Sequence, residues 1–252
     1  MKRISPLICL ILGLLSLNLS AAPAFVYYFE DNSDPTQPTN SGGATPFNLL
    51  YRGETRQTTD QAKFGHGSME IKENAERRKG FYTLPVDSVG DIHKLTLALW
   101  VRPSTTKGFM LMLKLVPNGH APNSLSFGYI RDGYDCLNFN FYDGKVNNPF
   151  MSNKVRCLIS GEWIHLAATF DEGKVAFYVN GLPYGGGTAA DPKSTVITSE
   201  PGQSIWISLY NLSDGSYVDD YALFLDRALS EEDVDGLYHN GLKAYLTKTS
   251  AP

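Results

Sequence analysis

Residues 161–181 read GEWIHLAATFDEGKVAFYVNG, and this run restricts the possible folds more than any other feature of the chain. Ile164, Leu166, Ala168 and Phe170 would fall on one side of an extended strand, with Trp163, His165, Ala167 and Thr169 on the other. Residues 171–174, DEGK, have turn composition, and Val175, Phe177 and Val179 then resume the alternation. Asn180-Gly181 closes it with a dipeptide suited to a type I′ turn, where both central residues need positive φ. The run predicts two antiparallel strands and the start of a third.

The rest of the chain repeats that grammar. Short apolar or β-branched runs separated by Gly, Asn, Asp and Pro occur at 25–29, 68–71, 80–84, 95–101, 109–115, 124–130, 136–143, 204–210 and 217–225. With the two strands of the opening run, this predicts about eleven strands and an all-β, two-sheet antiparallel sandwich. Neither a linker nor a fixed-period repeat divides residues 25–252, so they read as one domain. A single helix is expected near the end. Ser230 is its N-cap with Asp233 as capping-box acceptor, Leu229 and Val234 form a hydrophobic staple, and Gly241 stops it.

Residues 1–24 have the anatomy of a secretory signal peptide: Lys2 and Arg3, an apolar run from Leu7 to Leu17, then Ala22-Pro23-Ala24 before Phe25. The apolar run is too short to span a bilayer. A secreted, periplasmic or extracellular protein is therefore expected. Loss of Lys2 and Arg3 would leave 20 basic against 26 acidic residues, a net charge of −6, which disfavours a nucleic-acid partner. Cys9 lies within the leader; Cys136 and Cys157 form a candidate disulfide in an exported chain. Asn211-Leu212-Ser213 is a glycosylation sequon, relevant only if the host glycosylates exported proteins.

His165 has no Ser, Cys or carboxylate two positions away on its own strand, so its expected role is structural, as an imidazole hydrogen-bonded inside the sandwich. The run W-x-H-L-A at 163–167 followed by VAFYVNG resembles the laminin-G-like members of the concanavalin A-like lectin/glucanase superfamily. FGHGSMEI at 64–71, LTLALWVRPS at 95–104 and YVDDYALFLDRALSEEDVDGLYHNG at 217–241 resemble further segments of that family in the same order. Ser208 departs from the family's usual Gly, and residues 117–123 read as an insertion. The resemblance implies a concanavalin A-like jelly roll with a short C-terminal helix. It does not imply one activity, since this fold carries binders, adhesion units and enzymes.

The paired-carboxylate pattern E-x-D-x-x-E of the glucanase branch is missing, as are GxSxG and HExxH. RGETR at 52–56 is only loosely similar to an alginate-lyase signature, without its partner motifs. The expected function is a non-catalytic glycan-binding or adhesion module whose partner is a glycan or glycoprotein surface. A carbohydrate-active hydrolase or lyase, or a structural envelope protein, is the alternative. Sugars stack on aromatic rings and bond to amides, so Trp206 and Tyr210 with Asn138, Asn140 and Tyr142 are the candidate binding residues, provided their strands share one face. Residues 30–46 read either as a loop or as part of a cation site. The resemblance sets the acidic pair Asp219 and Asp220 near this first loop, so Asp31, Asn32, Asp219 and Asp220 form a candidate calcium set, with Asp219 expected outward and Asp220 inward. The competing account is a carboxylate that accepts backbone N–H bonds.

Overall fold

The computed structural model describes residues 25–30, 49–74, 80–83, 91–105, 109–117, 125–130, 135–153, 158–198, 205–209 and 212–249. The expected leader, Asp31, Asn32, residues 118–123 of the insertion, Cys157, Tyr210 and Asn211 lie outside these residues. No helix among them is long and apolar enough to cross a membrane.

The described residues form fifteen strands and one helix. In chain order the strands are β1 (Phe25–Tyr27), β2 (Leu49–Arg52), β3 (Arg56–Thr58), β4 (Ser68–Ile71), β5 (Gly80–Thr83), β6 (Lys94–Arg102), β7 (Phe109–Pro117) and β8 (Leu125–Ile130). They continue with β9 (Cys136–Tyr142), β10 (Asn147–Met151), β11 (Ile164–Asp171), β12 (Lys174–Val179), β13 (Leu182–Thr188), β14 (Ile205–Leu209) and β15 (Ser216–Phe224), and end with α1 (Glu231–Thr249). One sheet has the order β13-β12-β11-β6-β15-β4-β3, with β1 also on β15; the other runs β10-β9-β8-β7-β14-β5-β2. Every named strand pair is antiparallel, so the expected two-sheet sandwich is what forms.

The core lies between the sheets. Ile164, Leu166, Ala168 and Phe170 of β11 meet Phe127, Phe139 and Phe141 from the facing sheet, with Phe141 and Phe170 rings 4.8 Å apart. Alternation put these residues on one face, and burying that face drives the two layers together. A second apolar cluster sits outside the eight-stranded sheet, where Val234, Leu237 and Leu242 of α1 cover Ala98, Ala167, Ala222 and Phe224.

The start of α1 follows its sequence signals. Asp233 N donates to Ser230 Oγ at 3.1 Å, Ser230 N donates back to Asp233 Oδ2 at 3.2 Å, and Leu229 and Val234 are both buried. Gly241 breaks the helix at φ 77°, but helical turns resume beyond it to Thr249, so α1 is longer than expected. β2, β3 and β10 were not foreseen.

Candidate functional site

The outer side of the seven-stranded sheet carries the residues expected to bind sugar. On β9, Leu137, Phe139 and Phe141 enter the core, which leaves Asn138, Asn140 and Tyr142 half-exposed on the other side. Directly opposed residues of an antiparallel pair share a face. By that rule Ser126 of β8 lies beside Asn140, and Asn147, Pro149 and Met151 of β10 lie beside Tyr142, Asn140 and Asn138. Position 206 of β14 pairs with position 116 of β7, and position 115 pairs with core residue Leu125 of β8, so by register position 206 falls on the face of Ser126 and Asn140. Asn138, Asn140, Tyr142 and position 206 thus lie on one sheet face, with β8 and β7 between β9 and β14.

Local bonding leaves part of this face unspent. Asn138 Nδ2 donates to Phe150 O at 3.3 Å, and Tyr142 Oη donates to Gly144 O at 2.9 Å. Asn140 Oδ1 is buried and has no hydrogen-bond partner. A buried acceptor without a donor costs free energy. The exposed β10 residues were missed in the sequence because NNPFM contains Asn-Pro turn chemistry. The signal that could have found them is the alternation of Asn148 and Phe150, buried, with Asn147, Pro149 and Met151, exposed.

Of the candidate disulfide only Cys136 lies among the described residues. Cys136 is a free, buried thiol at the start of β9, opposite Ile130, and burial, followed by the nearby Asp135 charge, raises its pKa.

The acidic pair lies on the other side of the molecule, outside the eight-stranded sheet. Asp219 opposes Trp100, and the β15–β6 register then shifts before Ala222. Asp220 takes φ 46° in this bulge, so both carboxylates end on the α1 side, contrary to the expected alternation. The bulge is also where β15 exchanges β4 for β1 as its neighbour. Asp219 Oδ2 accepts from Lys63 N at 2.8 Å and Phe64 N at 3.1 Å, and its Oδ1 accepts from Asp220 N at 2.8 Å. Asp220 Oδ2 accepts from Leu242 N at 2.7 Å, just past the break in α1. Burial, then the charge of Asp220, pushes Asp219 up to about 8, against the pull of its three N–H donors. Burial also pushes Asp220 up to about 6. Among the described residues no three His, Cys, Asp or Glu side chains converge to hold a metal. What geometry there is fits an N–H acceptor that fastens three segments together, and these residues alone do not compose a calcium cage.

His165 is packed near this pair. It opposes Trp100 across β11 and β6, with ring centroids 5.3 Å apart, and Tyr238 of α1 stacks on Trp100 at 5.4 Å. His165 Nδ1 and Trp100 Nε1 are both buried without a partner, so the expected side-chain hydrogen bond is missing at Nδ1. The histidine lies under the helix rather than between the sheets. Burial drives its pKa down to about 3, which leaves a neutral ring.

A laminin-G-type family model, described as concanavalin A-like lectin/glucanases superfamily, matches residues 77–235, well over half of the chain. The chain belongs to the concanavalin A-like lectin/glucanase superfamily. Solved structures agree on the fold. Domain 4 of an extracellular arabinanase from Geobacillus stearothermophilus, in complex with arabinotriose, aligns with TM-score 0.61 at 16% identity, covering 86% of this chain and 98% of that one. A structure of botulinum neurotoxin type C, which depends on interaction with two ganglioside molecules to enter cells, aligns with TM-score 0.61 at 11% identity over 88% of this chain. This superfamily member spans about half of that toxin chain, 51%. A SAP-like pentraxin from Limulus polyphemus aligns with TM-score 0.51 at 13% identity, covering 70% and 83%. A search by sequence finds no match among curated proteins.

Proposed function

We propose that this protein is an exported, non-catalytic glycan-binding module and that the outer face of the seven-stranded sheet is its binding surface. One observation carries the reading: Asn138, Asn140 and Tyr142 share a half-exposed face with Asn147 and Pro149, and the Asn140 carbonyl oxygen there has no partner. Amides and hydroxyls answer the paired donor and acceptor groups of a sugar, and the tyrosine ring offers a stacking surface. The arabinotriose complex and the ganglioside-dependent toxin, both on this fold, support the ligand class. Export rests on the leader-like residues 1–24.

For lack of catalysis the support is chemical. Among the described residues of β8, β9 and β10, no Asp or Glu lies on this face, whereas a glycosidase needs two carboxyl groups about 5 to 9 Å apart. The mature chain should be retained on an immobilised glycan and release no reducing sugar from it. Asn140→Ala and Tyr142→Ala, each with an unchanged circular dichroism spectrum, should weaken retention by about tenfold or more. Full retention by both variants would place the site elsewhere, and release of reducing ends would make the protein an enzyme.

A further inference from the structure

Resting on that reading, the character of the face selects among glycans. The polar groups across β8, β9 and β10 are Ser126, Asn138, Asn140, Tyr142 and Asn147, all hydroxyls or amides. We propose that the face takes neutral oligosaccharides and discriminates against glycans bearing carboxylate or sulfate groups.

The uncharged amides and hydroxyls give the chemical reason. They donate and accept in pairs, as sugar hydroxyls do, and offer no full positive charge to a carboxylate or sulfate. Docking an anion here would strip its hydration and give no compensating cation from these three strands. The acid at the end of the face is already committed. Asp143 Oδ1 accepts from Lys145 N at 2.9 Å and Val146 N at 2.8 Å, and its Oδ2 accepts from the Ser194 hydroxyl. The net charge of −4 for the full sequence adds a general repulsion of polyanions.

Two basic residue types occupy register positions on the same sheet face. Lys114 of β7 stands opposite Ser126, and Arg52 lies on β2 at the far edge. Arg52 lies at the far edge of the sheet, whereas position 114 borders the cluster beside Ser126. A lysine lacks the bidentate fork with which proteins hold planar anions.

Spacing sets the length of ligand. Asn138, Asn140 and Tyr142 succeed one another by two residues along β9, a row about 14 Å long at the rise of an antiparallel strand. That row suits a short oligosaccharide lying along the strand rather than a single sugar in a pit.

The test is calorimetric titration of the full mature chain with two sets of oligosaccharides of matched length. One set is neutral: arabino-, xylo-, cello- and manno-oligosaccharides. The other is acidic: oligogalacturonate, alginate oligomers, sulfated chondroitin oligomers and sialyllactose. The expected result is at least about tenfold tighter binding by a neutral member than by any acidic one. Affinity for it should change little between about 50 and 500 mM salt, since no ion pair is formed. Lys114→Ala should leave it unchanged, while Asn140→Ala should lower it by about tenfold. Tighter binding of an acidic member, or its loss in Lys114→Ala, would overturn this selectivity and leave glycan binding standing. Failure of every member of both sets to bind would overturn the two readings together.

Discussion

At the scale of the residue, the buried ionisable groups beneath α1 titrate in opposite senses. His165 has a folded pKa of about 3, against roughly 6.5 in an unfolded chain. Its stabilising contribution is therefore complete above pH ~6.5 and is lost as pH falls through the acid range. Asp219 and Asp220 have folded values of about 8 and about 6, against roughly 3.9 when unfolded. What they contribute is complete below pH ~3.9 and is lost as pH rises through those folded values. His165→Phe keeps an aromatic ring against Trp100 and Tyr238 but has nothing to protonate. The difference in urea unfolding free energy between variant and parent should be constant above pH ~6.5 and should shift toward the variant as pH falls below it. Parallel curves across that range would show that His165 reaches a proton acceptor or solvent. That this histidine is buried matches the reading of its strand, but its place under α1 and not between the sheets does not. Its neighbours were not legible, because Trp100 and Tyr238 reach it from segments 65 and 73 residues away, which no local spacing records.

Elements show where local grammar stops. The capping box at Ser230 and the hairpin at Asn180-Gly181 were readable because their causes lie within four residues. Asn180 and Gly181 take φ 50° and 80° as a type I′ turn requires. The bulge in β15 was not readable, since its cause is an exchange of neighbouring strands, and it turned an expected inward Asp220 toward α1. β13 was read only at its start, as LPYGGGT has little to bury, and β2 and β3 are four and three residues long. The break in α1 yields the test at this scale. A Cβ on Gly241 would lie 2.9 Å from Phe64 Cγ and 3.0 Å from Asp220 Oδ2, at a φ of 77° that disfavours any side chain. Gly241→Ala should destabilise the protein by about 2 kcal/mol, read as a lower urea midpoint. It should also loosen residues 242–249, read as faster amide exchange at Leu242, whose N–H is held by Asp220. An unchanged midpoint would mean that the clasp at Asp220 contributes nothing.

For the whole molecule, the two-layer sandwich was the most legible property because alternation recurs along the chain, and two apolar sheet faces leave few other ways to close the core. The candidate face was half legible. Parity along β9 and β14 gave each residue its side, but only the strand order joins the two sets in one sheet. The acidic pair already receives four backbone N–H bonds and fastens residues 63–64, β15 and α1 to one another. Thermal midpoints in EDTA and in millimolar calcium should accordingly agree to within about 2 °C, and a larger rise with calcium would assign ligands to this junction. The same topology governs how the chain comes into being. Among the described residues Val26 pairs with Ala222, from the far end of the sequence. A polypeptide emerging from the ribosome cannot complete this layer until its last strand has been made, so closure of the fold waits for the end of synthesis.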